Sequence, residues 1–418
     1  MIEWIPSAVA LLAVGGLSGR AVLAGWRRLQ EARQARRRVD VARQALLGRI
    51  DLAAHEHARS QDAAQRSWQG WRRFVVVRKV AESQDVRSFY LRALDGRPLA
   101  TFKPGQYLTL RLHVPGQPRA VTRCYSLSDA PRPDTYRITV KRIAMTPRGQ
   151  AGVASSFLHD EVDVGNVVEA RSPAGAFWLE PTDPTPVVLV AGGIGVTPVL
   201  AMLQAIVEAG PPRPVWFFHG VRNSADHAMA DPLAAVAARH PQVRLLVCYS
   251  QPSPGEILDD RFQHQGRVDV ALIRQVVGDL TVPHFYLCGP PAMMKSLVEG
   301  LHVEGVPSGH VHHEAFGPAS VKQAARSARL EGAGACHEVA FTRSGRRIPW
   351  DGASTLLELA EREGLALESG CRAGNCGSCA TPLFRGEVVY PTVPGAPVPA
   401  GACLACVARP ASDLELDA

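Results

Sequence analysis

The chain has 418 residues, 46 % of them hydrophobic and 20 % charged, with a formal net charge of +7. Such a composition is that of a globular protein, excludes a disordered or fibrous one, and leaves room for two to four domains with cores of their own. Nine cysteines in a chain of this length argue against a disulfide-stapled scaffold and for a reducing compartment.

The charge is unevenly placed. Residues 1–73 hold 13 Arg against 6 acidic side chains, a balance of +7, whereas 74–418 hold 33 of each sign. The basic balance therefore describes an N-terminal arm, and the body is not expected to bind nucleic acid. Within the arm, Trp4 to Trp26 is nearly all apolar or small, with Arg20 its only charge. As a helix it would be about 34 Å long, enough to span a bilayer. We expect a transmembrane anchor over 1–26 and a basic helical stalk over 27–70, in contact with inner-membrane lipid. Arg27, Arg28, Arg33, Arg36, Arg37, Arg38, Arg43 and Arg49 would hold the stalk on the cytoplasmic side, as the positive-inside rule requires. The alternative is a helix lying on the membrane surface. On either reading, deletion of 1–70 should leave a soluble, active protein.

From Trp71 the texture changes to short β-rich runs: Arg73–Arg78, Arg87–Arg92, Tyr107–Leu112 and Tyr136–Arg142, separated by Gly, Pro and Asp. That pattern predicts an antiparallel β-barrel over 71–181. It contains Arg123-Cys124-Tyr125-Ser126-Leu127 and, further on, Gly152-Val-Ala-Ser155 opening a helical run. Here the sequence resembles the ferredoxin–NADP⁺ reductase superfamily, whose flavin motif reads Arg-x-Tyr-Ser followed by Leu or Thr. The resemblance implies that Arg123 pairs with a flavin phosphate, Tyr125 stacks on the ring system and Ser126 sits near the reacting flavin N5, with Cys124 and Leu127 completing the cofactor-binding strand. It also implies that the turn from Gly152 to Ser155 receives the pyrophosphate at a helix start, where backbone N–H groups favour an anion. The flavin is read as FAD, with FMN the alternative.

Val187–Ala191 is a continuous apolar strand of the kind buried in a parallel sheet, and further strands alternate with helices over 182–317. This α/β region holds Gly192-Gly193-Ile194-Gly195-Val196-Thr197-Pro198 and Cys288-Gly289-Pro290. Both are similar to the superfamily's nicotinamide-domain motifs, the first a glycine-rich loop for the dinucleotide pyrophosphate. By the same resemblance Cys288 lies over the nicotinamide, with Ser126 and Glu314 as its companions at the reacting centre. Arg222 is where the family reads the adenosine ribose; the nearest acid is Asp226, so NADH and NADPH both remain open, with a lean to NADH. The pair His312-His313 is read as part of a surface strand.

An Ala-, Ser- and Gly-rich stretch over 318–335 reads as a linker. Residues 336–418 then give a hairpin, an amphipathic helix and the run Cys371-x4-Cys376-x2-Cys379, the spacing of a plant-type [2Fe–2S] centre. Iron bridged by sulfide needs four thiolates; the fourth is Cys406 or Cys403. Cys406-x3-Pro410 resembles the ending of such ferredoxins and is preferred; zinc, the rival metal, favours paired Cys-x2-Cys knuckles instead. The region is expected to be a β-grasp ferredoxin domain of α+β type.

Together these readings predict a multidomain, single-pass protein at a bacterial-type inner membrane with cytoplasmic catalytic domains. It would pass hydride from NAD(P)H to a flavin, then single electrons through the cluster to a redox partner protein such as an oxygenase. The rival functions are reduction of a small acceptor (a quinone or ferric chelate) at the membrane, and redox sensing without turnover.

Overall fold

The computed structural model describes residues 43, 66–117, 120–143, 152–256, 258, 262–316, 337–370, 372–374, 377–391, 394, 396 and 398–418. The chain divides into two compact units, Met1–Asp62 and Ala63–Ala418. The expected anchor over 1–26, nearly all of the stalk and the linker over 318–335 lie outside the described residues. Among the described residues no helix is long and apolar enough to cross a membrane.

Within the second unit, six antiparallel strands form the first sheet. They are β1 (Arg72–Ser83), β2 (Val86–Ala93), β3 (Tyr107–Leu112), β4 (Val121–Ser126), β5 (Tyr136–Lys141) and β6 (Val167–Ala170), in the order β4-β3-β6-β1-β2-β5. Alternate side chains supply one core: Phe74 and Val76, Phe89 and Leu91, Leu108 and Leu110, Ile138 and Val140. The outer strands β4 and β5 are joined by the bridge Leu127↔Ile138, which closes the sheet into a barrel and leaves less edge exposed. Helix α1 (Val153–Asp160) buries Ala154 and Leu158 in the same core. Trp68 lies ahead of the expected boundary at 71. It packs on this core, its Nε1 donates to the Ala170 carbonyl at 3.1 Å, and Arg72 covers its ring at 5.1 Å. Ser67 to Gly70 are not helical.

The second sheet is parallel throughout, in the order β10-β9-β8-β7-β11-β12. Its strands are β7 (Val187–Gly192), β8 (Val215–Val221), β9 (Val243–Tyr249), β10 (His264–Gln265), β11 (His284–Gly289) and β12 (Val311–Ala315). Its helices are α2 (Val196–Ala209), α3 (Ala230–Arg239), α4 (Val270–Val277) and α5 (Pro291–Val303). All six residues of β7 are buried because helices cover both faces: Leu189 packs on one side, Val188 and Val190 on the other. Polar contacts among the described residues join the barrel to this module. Arg132 donates to both Glu208 oxygens at 2.7 and 2.9 Å, Arg137 donates to Gln204 at 3.3 Å, and Lys141 pairs with Asp226 at 3.2 Å.

The third module opens with the hairpin of β13 (Glu338–Phe341) and β14 (Arg346–Pro349), followed by α6 (Leu356–Arg362). Thr355 caps α6 and Glu358 answers it, a full capping box. Then come β15 (Ala380–Arg385), β16 (Val388–Val389), β17 (Ala402–Leu404), β18 (Arg409–Pro410) and β19 (Leu414–Leu416). The sheet order β14-β13-β19-β15-β17, with β13 and β19 parallel, is the expected β-grasp arrangement; β16 and β18 pair separately.

Candidate functional site

Arg123, Cys124, Tyr125 and Ser126 lie on β4, paired with β3 on one side. Strand alternation puts Arg123 and Tyr125 on one face and Cys124 and Ser126 on the other. Arg123 Nη1 donates to the Thr122 carbonyl at 2.7 Å. Burial holds the guanidinium below its ordinary pKa, and the neighbouring Arg372 of the cluster loop adds to this. A desolvated guanidinium beside a second cation favours an anion, and so fits a flavin phosphate. Burial pushes the Tyr125 phenol well above its ordinary range, so the ring is a neutral stacking face. Ser126 is buried opposite Tyr107, and Leu127 is fully buried at the barrel closure. Cys124 Sγ lies 3.4 Å from Thr109 Oγ1, on the face away from Arg123 and Tyr125.

Gly152 caps α1, and a Cβ there would fall 2.5 Å from Ser155 Oγ and 2.7 Å from Ile143 Cβ. The Ser155 hydroxyl donates to the Gly152 carbonyl at 3.0 Å and accepts from the Ile143 amide at 3.1 Å. That hydroxyl closes the turn, and the first amides of α1 have no acceptor within the helix, which is what an anion at a helix start uses.

At the other module, β7 ends at Gly192 and one 3₁₀ turn, Gly193–Gly195, leads into α2. A Cβ on Gly192 would lie 2.6 Å from both Pro290 Cδ and Met293 Sδ, and one on Gly195 would strike the Cys288 carbonyl. Gly289 comes within 3.0 Å of Gly192 in the same sense. The loops after β7 and β11 are therefore packed backbone to backbone, which only glycine allows. Thr197 is buried and donates to the Ile194 carbonyl at 3.0 Å, and Pro198 fits the first turn of α2, where no amide partner is lost.

Cys288 is fully buried and pairs in register with Glu314 on β12. Burial, then the Glu314 carboxyl, pushes the thiol far above its ordinary value, so it is a neutral packing group rather than a nucleophile. Burial also pushes Glu314 up to about 8, and its Oε2 has no hydrogen-bond partner. Arg222 is paired with Asp226, which Lys141 also holds at 3.2 Å.

Cys379 and Cys406 are both buried, and their sulfurs lie 3.1 Å apart, too far for a disulfide and suited to a shared metal centre. Burial pushes the Cys403 thiol up to about 12. Gly374 and Gly377 take positive φ of 75° and 67°, and Arg372 does so at 57°. Cys371 and Cys376 lie outside the described residues.

β12 is the edge strand of its sheet, as the surface-strand reading of the histidine pair expects, but His312 is half-buried. Its ring stacks on Tyr286 at 4.6 Å, its Nε2 lies 3.2 Å from His284 Nδ1, and His310 stacks on His284 at 4.3 Å. His313 is exposed as expected. Among the described residues no group of three donors is placed to hold a metal ion. The sequence reading also passed over His219, a fully buried imidazole beside the glycine loop; its signal was a polar residue ending the apolar run Val215–Phe218.

Three family models match the chain: an oxidoreductase FAD-binding domain over 73–178, an oxidoreductase NAD-binding domain over 189–299, and a 2Fe-2S iron-sulfur cluster binding domain over 339–411. The flavohemoprotein of Halalkalibacterium halodurans is 40 % identical over 252 residues, 60 % of this chain and 61 % of that one. The chain thus spans about three-fifths of that relative's length. The flavohem-like FAD/NAD binding domain of nitric oxide dioxygenase from Vibrio cholerae O1 biovar El Tor is 32 % identical, with TM-score 0.52, over 59 % of this chain and 99 % of that one. Phthalate dioxygenase reductase is 26 % identical with TM-score 0.54, over 84 % of this chain and 98 % of that one.

The chain belongs to the ferredoxin–NADP⁺ reductase superfamily. It is an NAD(P)H-dependent flavin oxidoreductase that takes FAD and carries a C-terminal [2Fe–2S] domain. Phthalate dioxygenase reductase is described as a modular structure for electron transfer from pyridine nucleotides to [2Fe–2S], and this chain carries domains of the same three kinds.

Proposed function

We propose that this reductase delivers single electrons through its [2Fe–2S] domain to a separate redox protein, an oxygenase or another metalloprotein. The likeness to phthalate dioxygenase reductase, which runs through all three modules and nearly the whole of that chain, carries the reading. Bound FAD would accept hydride and release electrons one at a time, and the cluster would relay them. The chain's own residues bind and orient. Arg123 would hold the flavin phosphate, with Tyr125 packed on the ring system and Ser126 placed beside it. The glycines from Gly192 to Gly195 and the pair Gly289-Pro290 would admit the nucleotide, with Cys288 as a neutral packing wall. Glu314, pushed up to about 8, holds its proton at neutral pH and would offer a hydroxyl donor rather than a negative charge. Cys371, Cys376, Cys379 and Cys406 would supply the four thiolates. Arg171 lies 3.4 Å from Glu368, an exposed contact between the ferredoxin module and the barrel whose strand β4 carries the flavin residues.

Arg222 already shares Asp226, which favours NADH, since a neutralised guanidinium is a poor reader of a 2′-phosphate. The N-terminal arm, 1–70, would tether the reductase to a membrane surface. Anaerobic titration with NADH, and separately with NADPH, followed by absorbance and EPR, tests the whole reading. Flavin bleaching followed by a rhombic one-electron signal is the expected result, and bleaching without that signal would sink the relay.

A further inference from the structure

His219 lies on β8, in register with Ala191 of β7 and Val247 of β9, and is fully buried. Its Nε2 sits 3.2 Å from the carbonyl oxygen of Gly193. A carbonyl only accepts, so the contact fixes the tautomer: Nε2 carries the proton and Nδ1 the lone pair. That Nδ1 is buried without a hydrogen-bond partner, an arrangement that costs stability and calls for a reason. Burial, helped by His227, holds the pKa of His219 down to about 3, so the tautomer persists across the working range.

The reason lies in the peptide that follows. In a planar trans peptide the carbonyl and the next N–H point in opposite directions. Holding the Gly193 carbonyl toward the buried ring therefore turns the Ile194 N–H outward. Beside that peptide there is open space: Gly193 has φ +53° and a Cβ there would find nothing within 4 Å. Gly192 and Gly195 are wedged against the loop after β11 and Ile194 packs on the core, so Gly193 is the loop's open position and its carbonyl is met from beneath by His219. Gly193's oxygen also accepts from the Val196 amide, which ties the same peptide to the start of α2.

The ring is itself held. His227 meets it edge-on with centroids 5.2 Å apart, His227 Nδ1 lies 3.0 Å from the Tyr249 hydroxyl, and Tyr249 stacks on Phe262 at 4.1 Å. This column runs from the end of β9 across β8 to the turn after β7.

We propose that His219 is a positioning residue that orients the Ile194 amide toward the pyrophosphate of the nicotinamide dinucleotide. The inference rests on reading Gly192–Gly195 as the nucleotide loop. It explains why a buried unpaired nitrogen is retained: the acceptor side is sacrificed so that the donor side can fix the loop.

The test compares His219→Leu and His219→Gln with wild type in the full holoprotein, using NADH with ferricyanide as acceptor and monitoring flavin content and thermal midpoint. Leucine removes the donor and the orphan nitrogen together, while the glutamine amide restores a donor at similar reach. His219→Leu should raise KM for NADH about tenfold with kcat changed by no more than about twofold, and with an unchanged or higher thermal midpoint. His219→Gln should recover most of that loss. An unchanged KM in His219→Leu, or one that rises only alongside lost flavin or a lower midpoint, would overturn the proposal. Gly193→Ala serves as the control for the loop itself, because it both strains the left-handed backbone at φ +53° and puts a methyl into the open space. If Gly193→Ala leaves KM unchanged, the loop reading and the proposal fall together; if it raises KM and His219→Leu does not, only the proposal falls.

Discussion

Replacing Glu314 with glutamine isolates a proton that the fold retains against the group's ordinary chemistry. The carboxyl is 7 % exposed, one oxygen has no hydrogen-bond partner, and burial pushes its pKa from an ordinary 4.5 up to about 8. Between those values the folded protein keeps a proton that the unfolded chain has released. The associated stability is therefore complete below about pH 4.5 and is lost as pH rises through about 8. Each pH unit in that window removes at most about 1.36 kcal/mol, which sets a ceiling of about 5 kcal/mol. Water entry and local relaxation bring the expected loss nearer 2 kcal/mol, on the order that buried carboxyls show when the surroundings respond. Glutamine keeps the shape and a donor but does not titrate. Calorimetry of wild type and Glu314→Gln from about pH 5.5 to about pH 8.5 should show the wild type losing stability more steeply, with the variant the more stable at the alkaline end. Parallel profiles would mean that Glu314 titrates as an ordinary surface acid, and the burial argument would be wrong.

Other consequences are as direct. Cys379→Ser and Cys406→Ser should each abolish the [2Fe–2S] absorbance, whereas Cys403→Ser should keep it at a stability cost of about 1–2 kcal/mol. Asp226→Ala frees Arg222 and should shift the NADPH-to-NADH ratio of kcat/KM toward NADPH by about tenfold; an unchanged ratio would remove Arg222 from coenzyme choice. A chain starting at residue 66 should be more stable than one starting at 71 by about 2 kcal/mol, because only the first keeps Trp68 on the barrel core, and equal melting would deny that packing. Gly192→Ala should lower the melting temperature of the nicotinamide module, since overpacking against Pro290 and Met293 costs about 1–3 kcal/mol, and a neutral result would contradict the close approach.

The parts of this molecule that could be read from sequence are those whose chemistry demands fixed spacing. A glycine at 195 is needed because the Cys288 carbonyl fills the place of a side chain, and a cysteine ladder of fixed intervals is needed by a metal centre. The strands were legible for a related reason, since burial on one face of the barrel and on both faces of β7 writes different apolar patterns. What escaped depended on residues far apart in the chain. His284, His310 and His312 meet only because β11 and β12 pair, so the apparent neighbours His312 and His313 were the wrong pair to weigh. The Asp226 that neutralises Arg222 lay in view, but Lys141, which fixes it, comes from another module. Trp68 was lost to the helical arm because nothing local distinguishes it from the Arg-rich run before it.

Helix α2 begins at the nucleotide loop and ends in the grip of Arg137 and Arg132, through Gln204 and Glu208. Both ends are thus fixed in angle as well as position. Adding or removing one residue between Thr197 and Gln204 would rotate the far contacts by about 100° while leaving the loop in place. The length of that segment is therefore a gene-level constraint. Recombination that exchanges nicotinamide modules between such reductases would succeed with a crossover ahead of β7 only if the incoming α2 carries its own partners for the two barrel arginines, and a crossover inside α2 would have to preserve the count of residues to the last one.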